Sequence, residues 1–80
     1  MRHHRGYFLS LMAGALAQAG EPDAACAAGQ EATIIAMEMS SQRTMQELGH
    51  VLDALGAWRT RPSVCALADA LASANRLPRV

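Results

Sequence analysis

The 80-residue chain contains no lysine, so its seven cations are all arginines, and its formal net charge is zero. This balance excludes a general electrostatic attraction to nucleic acid or anionic lipid, because both require an excess of basic charge. Aromatic residues make up only 4% of a chain that is 51% apolar. The apolar content is therefore mainly alanine, leucine and methionine, which favours helices over strands.

Cysteine is also scarce, since Cys26 and Cys65 are the only two in the sequence. Two cysteines are too few for a disulfide scaffold. We interpret both as small buried residues of a protein in a reducing compartment, with a single bridge between them as the alternative. No apolar run reaches the roughly 18 residues that a membrane-spanning helix needs, so no membrane span is expected.

Hydrophobic residues recur at three- and four-residue spacing along four segments, which predicts an all-α protein. The predicted helices cover residues 4–19, 22–39, 41–55 and 62–75. Gly20 and Gly56 suit the ends of the first and third helices. Pro22 and Pro62 suit the first turns of the second and fourth.

Short loops between these helices predict a four-helix antiparallel array of two helical hairpins in one domain, residues 1–80. The first hairpin covers residues 6–39 and the second, a capping hairpin, covers residues 40–75. The ends, residues 1–5 and 76–80, are expected to be flexible. Ser41 is a suitable cap for the third helix.

Each predicted helix has one apolar stripe that we expect to face inward. The inward residues are Leu9, Met12, Leu16 and Ala19; Ala25, Ala28, Ala32, Ile34, Ile35 and Met39; Met45, Leu48, Val51, Leu52 and Leu55; and Val64, Leu67, Ala68, Leu71 and Ala74. Gly14 costs the first helix ~1 kcal/mol relative to alanine. We therefore expect a close contact with another helix backbone at Gly14.

The first 19 residues also imitate a secretory signal peptide, with a basic start, an apolar run and Ala-x-Ala sites. Cleavage there would delete one helix of the first hairpin and leave its partner helix uncovered. We therefore expect a cytoplasmic protein that retains this segment. A small secreted protein with a cleaved signal peptide is the alternative.

The first hairpin resembles a tetratricopeptide repeat, a helix–turn–helix unit with small and large residues at set positions. The matching positions are Leu9, Met12, Ala13 and Leu16 in the first helix, Gly20 at the turn, and Ala25 and Ala32 in the second. Gly29 and Met37 depart from the family, which usually has a bulky residue and a proline at these positions. The resemblance implies a repeat-like hairpin.

The run from Arg5-Gly6-Tyr7 through Gly20-Glu21-Pro22 to Ala57-Trp58-Arg59-Thr60-Arg61-Pro62-Ser63-Val64 covers nearly the whole chain. It resembles the C-terminal end of the repeat region in actinobacterial helix-turn-helix transcriptional regulators. The resemblance implies a link to transcriptional regulation, but the DNA-reading domain of that family lies upstream, so no DNA-binding role carries over to any residue. Repeat hairpins bury their faces against neighbours, and two hairpins leave the first helix with an uncovered apolar side. We therefore predict self-association through Tyr7, Phe8, Leu11 and Ala15.

The preferred function is a non-enzymatic protein–protein interaction module without a cofactor or a bound metal. Its partner is a second copy or another helical protein, held on the self-association face or in the groove between the first two helices. The alternative is a small-ligand-binding or accessory bundle in a biosynthetic pathway. In that case a pocket under Trp58 is lined by Leu48, Leu52 and Val64.

Several polar motifs lack the partners that catalysis or metal binding needs. Glu47 and His50 have the spacing found in di-iron bundles, but those sites need two such motifs and further carboxylates. His3 and His4 have no third metal ligand nearby in sequence. Cys65 lies in a predicted first helical turn without a neighbouring histidine to act as its base. We interpret Glu47 and His50 as surface residues, His3 and His4 as part of a frayed terminus, and Cys65 as a buried core residue, none with a catalytic role.

The arginines fall into two groups, Arg2 with Arg5 and Arg59 with Arg61, Arg76 and Arg79. The sequence leaves open whether the two groups lie at one end of the bundle or at opposite ends. Because aromatic residues are not interleaved with them, direct nucleic-acid binding is not expected.

Overall fold

The computed structural model describes residues 2–76, with side chains from residue 4 onward. This part of the chain forms four α-helices and one short 3-10 helix, and it contains no strand. They are α1 (Arg2–Gln18), α2 (Pro22–Met39), α3 (Gln42–Ala54), the 3-10 turn Gly56–Trp58, and α4 (Pro62–Arg76). The predicted all-α array of four helices is confirmed, although α1 begins at Arg2 and not at residue 4. Of the flexible end predicted at residues 76–80, Arg76 is the last residue of α4, and residues 77–80 lie outside the described residues.

The corner between α1 and α2 closes through the backbone conformation of one glycine. Gly20 has a φ of +80°, in the left-handed region that side chains disfavour. The N–H of Glu21 donates to the carbonyl of Leu16 at 2.9 Å, and the N–H of Gly20 donates to Ala17 at 3.1 Å. These two bonds form a Schellman motif, so α1 ends as predicted. Pro22 then opens α2.

The corner between α2 and α3 uses the same left-handed geometry without a glycine. Ser40 has a φ of 52°, and the N–H of Ser41 donates to the carbonyl of Ala36 at 2.9 Å. The side chain of Ser41 then accepts from the N–H of Thr44 at 3.2 Å, which caps α3 as predicted. The left-handed Ser40 was not predicted, because serine seldom adopts this conformation.

Small residues form the interface between α1 and α2, which is the most extensive helix–helix contact in residues 2–76. Its alanines are buried: Ala13, Ala17, Ala25, Ala28, Ala32 and Ala36. A Cβ atom placed on Gly6 would lie only 2.8 Å from Cγ2 of Ile35. Because so little side-chain volume separates the backbones, the helices approach closely and compensate for the small area that each alanine buries.

The second pair of helices is less hairpin-like than predicted. α3 packs mainly on α1 and α2, and α4 packs mainly on α2, whereas α3 and α4 contact each other least among these pairs. α4 approaches α2 closely at Gly29, where a Cβ atom would lie 3.0 Å from Cδ2 of Leu67. The missing side chain on α2 therefore leaves the space that Leu67 of α4 fills. Trp58 lies in the 3-10 turn between α3 and α4 and is partly buried against the core.

Four residues that were expected inward are exposed. Met12, Ile34 and Met39 are 39%, 56% and 42% exposed, and Ala19 is also at the surface. The hydrophobic pattern does not distinguish small from large apolar residues. In the structure, α1 and α2 pack their small residues against each other and leave several larger ones exposed. The close backbone contact expected at Gly14 is also wrong. A Cβ atom there would lie 3.8 Å from Cγ2 of Val51, an ordinary contact with a side chain.

The stripes of α3 and α4 agree with the prediction. Their buried residues are Leu48, Val51, Leu55, Val64, Leu67 and Leu71. Three hydroxyl side chains that the apolar pattern did not predict are also buried: Ser10, Thr33 and Thr44. Ser10 donates to the carbonyl of Tyr7 at 2.6 Å, and Thr33 donates to that of Gly29 at 2.8 Å. These two hydroxyls are satisfied within their own helices, and that of Thr44 accepts from the hydroxyl of the cap residue Ser41 at 2.9 Å, so they do not mark a binding site.

Candidate interaction surface on α1

The outward side of α1 carries a row of exposed apolar side chains. Phe8 is 64% exposed, Leu11 44% and Met12 39%, and Ala15 is also exposed. They follow the i, i+3, i+4, i+7 spacing, which places them on one helical face. Together with half-buried Tyr7 they form what we call the α1 surface. Three of the four predicted interaction residues lie in this row, and Met12 was missed because it was assigned to the core.

The α1 surface borders a groove of about 450 Å³ between α1 and the start of α3. The groove is lined by His4, Tyr7, Phe8, Leu11, Ser41 and Arg43. The guanidinium carbon of Arg43 lies 4.1 Å from the centre of the Tyr7 ring, a cation–π contact. This contact holds Tyr7 against α3, so Tyr7 forms a wall of the groove rather than the centre of the exposed face.

An ion pair borders the other side of the α1 surface. Nε of Arg5 on α1 donates to Oε2 of Glu31 on α2 at 3.1 Å, and a second guanidinium nitrogen contacts the same oxygen. Arg43 and Arg5 thus lie on opposite sides of one apolar row, next to α3 and α2 respectively. An apolar centre with polar groups at its edges is the usual arrangement of a protein interface.

The four residues of the predicted ligand pocket lie in or against the core. Leu48 and Val64 are buried, at 0% and 4% exposure. Leu52 and Trp58 are partly buried and pack against the same cluster. The structure thus brings the four residues together through apolar contact, and a ligand pocket at this place stays a prediction.

A hydrogen-bonded cluster joins the start of α2 to the start of α4. Asp23 accepts from Nε of Arg61 at 2.9 Å, from a second guanidinium nitrogen at 3.0 Å, and from the hydroxyl of Ser63 at 2.7 Å. These bonds, with that to Arg61 the strongest, lower the pKa of Asp23 from 3.8 to about 2. The sequence contained no signal for this cluster, because Asp23 and Arg61 are far apart along the chain.

The cluster predicts a pH dependence of stability in the acid range. The pKa of Asp23 is lower in the folded chain than in the unfolded one, so its contribution is present above pH 3.8 and is lost as the pH falls toward about 2. We expect the wild-type chain to lose more stability between pH 4 and pH 2 than Asp23→Asn, in urea unfolding at each pH. Asp53→Asn is the control and should follow the wild type. Parallel curves for wild type and Asp23→Asn would contradict the assignment, as would an NMR titration giving Asp23 an ordinary pKa.

The two cysteines are both free thiols in different surroundings. Cys26 is buried as predicted, and its burial raises the pKa of the thiol. Cys65 is exposed, which contradicts the prediction that both would be buried, and its Sγ contacts the carbonyl of Arg59 at 3.3 Å. Cys65 lies on the outer side of α4 because Val64 and Leu67 take the inward positions.

The polar motifs are dispersed over the surface. Nδ1 of His50 lies 3.8 Å from Oε1 of Glu47, and the His50 side chain is largely exposed. His4 is exposed on the first part of α1, and the side chain of His3 lies outside the described residues. Within the described residues, no group of three or more His, Cys, Asp or Glu side chains has a geometry that could hold a metal ion.

The described arginines of the two predicted groups are separated and paired differently. Arg5 contacts Glu31 in the middle of α2, whereas Arg61 contacts Asp23 at its start. Arg59 donates to the carbonyl of Gly56 at 3.3 Å. Arg5 and Arg61 are thus neutralised by carboxylates at different levels of α2 and do not form one basic patch.

Comparisons with protein-family models, curated proteins and solved structures give no match for this chain. Nothing in these comparisons links the chain to transcriptional regulators. Across the described residues, no helix has both the length and the apolar content needed to cross a membrane.

Proposed function

We propose that this chain is a non-enzymatic protein–protein interaction module that associates with a second copy through the α1 surface. The observation that carries the proposal is that α1 is apolar on two sides. Its inner side, including Leu9, Ala13 and Ala17, is buried in the core. Its outer side exposes Phe8 and Leu11 as members of one continuous row.

Continuity distinguishes this row from ordinary surface exposure. Single exposed apolar residues are common and need no explanation, whereas a contiguous apolar patch of a few hundred Å² is often functional. The spacing of Phe8, Leu11, Met12 and Ala15 is the anchor pattern of a helix that packs against another helix. The seam between α1 and α2 is filled by buried alanines, so the outer side of α1 is the better candidate than a groove between these helices.

Two finer features belong to the same proposal. We attribute a tetratricopeptide-like character to the first hairpin because Ala25 and Ala32 are buried at its small positions and Gly20 forms its turn. A link to transcriptional regulation is supported by the sequence resemblance alone, and the partner in that setting would be another helical protein.

The proposal is tested by placing one charge in the α1 surface. Leu11→Glu is expected to weaken self-association at least tenfold, since a carboxylate loses its hydration in an apolar contact. Sedimentation equilibrium between about 10 μM and 1 mM measures the mass relative to the 8.5 kDa monomer. Ile34→Glu is the matched control, because Ile34 is 56% exposed on α2 and lies outside the α1 surface. A wild-type chain that stays monomeric up to 1 mM overturns the proposal, as does unchanged association of Leu11→Glu.

A further inference from the structure

We infer that the second copy places its α1 antiparallel to the first, with a two-fold axis between Leu11 and Met12. This inference rests on the proposed self-association and adds the orientation and register of the partner. In this arrangement Phe8 of each copy packs against Ala15 of the other, and Leu11 packs against Met12. The contact is isologous, so one surface serves both copies.

The sizes of the exposed side chains support the antiparallel register. The row begins with its largest member, Phe8, has Leu11 and Met12 in the middle, and ends with its smallest, Ala15. Antiparallel pairing opposes large to small at both ends and medium to medium at the axis, which keeps the distance between the helices even. Parallel pairing would oppose Phe8 to Phe8 and Ala15 to Ala15, leaving a gap at one end.

The charges of α1 support the same orientation. The first turn of α1 contains no acidic residue and the last turn contains no basic one, which is the unfavourable distribution for a helix dipole. Glu21, an exposed carboxylate, follows the negative end, whereas Arg5 near the positive start is already paired with Glu31. An antiparallel partner brings the negative end of its α1 to the positive start of this one. A parallel partner would place like ends of the helix dipoles side by side.

The exposed area indicates a weak dimer. Phe8 is 64% exposed, so it would bury on the order of 100 Å². The whole row supplies a few hundred Å² per copy, less than the roughly 800 Å² per partner of a standard stable interface. We therefore expect association in the micromolar range or weaker. Disulfide cross-linking reports the orientation of the two helices in such a dimer, which a measurement of its mass does not.

Variants with one exposed cysteine distinguish the two orientations, in a Cys65→Ser background that leaves only the buried Cys26. In the antiparallel pair the two residue-11 positions are offset by one residue, roughly 1.5 Å along the axis. The two residue-8 positions are two turns apart, roughly 10 Å, which is beyond the reach of a disulfide. Leu11→Cys is therefore expected to form an interchain disulfide at least ten times faster than Phe8→Cys. A mixture of Phe8→Cys and Ala15→Cys should give the mixed dimer, identified by mass spectrometry of the oxidised protein.

Ile34→Cys in the same background sets the rate of collisional cross-linking. Fast self-cross-linking of Phe8→Cys without a mixed Phe8–Ala15 product would show a parallel pair and overturn the inference. The proposed self-association would still stand if Leu11→Glu abolished it. Cross-linking of Leu11→Cys no faster than Ile34→Cys overturns the antiparallel register, and sedimentation then decides whether self-association fails too.

Discussion

Replacing Gly29 by leucine is expected to destabilise the chain by about 3 kcal/mol, a large share of the stability of a domain of this size. Gly29 is buried in α2, and a Cβ atom there would already lie 3.0 Å and 3.2 Å from the two methyl carbons of Leu67. Leu67 is fully buried, and buried side chains in a close-packed core have little room to move. The larger side chain must therefore push α4 away from α2.

The same substitution at Gly49 is the matched control. Gly49 lies within α3, is exposed, and has no atom within 4 Å of a Cβ placed on it. Gly49→Leu should stabilise the chain by about 0.5 kcal/mol or slightly more, because leucine has a higher helix propensity than glycine. Urea unfolding of the two variants would then give changes of opposite sign. If both changes have the same sign, the close contact between α2 and α4 is wrong.

A double variant tests the contact itself. Leu67→Ala alone should cost about 2–5 kcal/mol, since it removes a fully buried leucine. Combined with Gly29→Leu, it makes room for the new side chain on α2. We expect the double variant to be more stable than the sum of the single effects predicts, by about 1–2 kcal/mol. Additive effects would show that the two residues do not share one space.

Ala13→Asp is expected to unfold the chain at neutral pH, or to cost at least about 4 kcal/mol. Ala13 is fully buried on the side of α1 that packs against the other helices. The carboxylate of Ala13→Asp would therefore lose its hydration without gaining a hydrogen-bond or ion-pair partner. Ala15→Asp makes the same chemical change on the exposed side of the same helix. It should cost only about 0.7 kcal/mol of helix propensity, while it introduces a charge into the α1 surface.

Circular dichroism during urea unfolding measures both alanine variants. The pair also tests the rotation of α1 about its own axis. If the stripe of Leu9, Met12, Leu16 and Ala19 faced inward instead, both variants would lose similar stability, because Ala13 and Ala15 lie at roughly equal angles, about 80°, on its two sides. Similar losses in both variants would contradict the two-sided description of α1.

Local signals in the sequence placed the helices well. Gly20, Pro22, Ser41 and Pro62 each act within one turn of their own position, through a left-handed backbone, a fixed φ or a side-chain cap. Such signals need no information from elsewhere in the chain. Ser40 is the exception, because its left-handed conformation is imposed on a residue that does not favour it.

The candidate site was predicted in part. The sequence named Tyr7, Phe8, Leu11 and Ala15, because a first helix with a wide apolar arc has more apolar surface than two hairpins can cover. Met12 was left out because an apolar pattern alone cannot separate a buried stripe from an adjacent exposed one. The cluster of Asp23 with Arg61 and Ser63 was not foreseen, since nothing along the chain relates these positions.

The sequence by itself determined an all-α chain of four helices, the corner at Gly20, and a first helix with more apolar surface than its own fold can bury. Only the tertiary structure decided which side of α1 faces α2 and where α4 packs. Those choices depend on fitting small residues such as Ala13 and Gly29 against side chains on other helices, as Leu67 fits at Gly29. Complementarity of shape is a property of two surfaces, and the hydrophobic periodicity of one helix does not contain it.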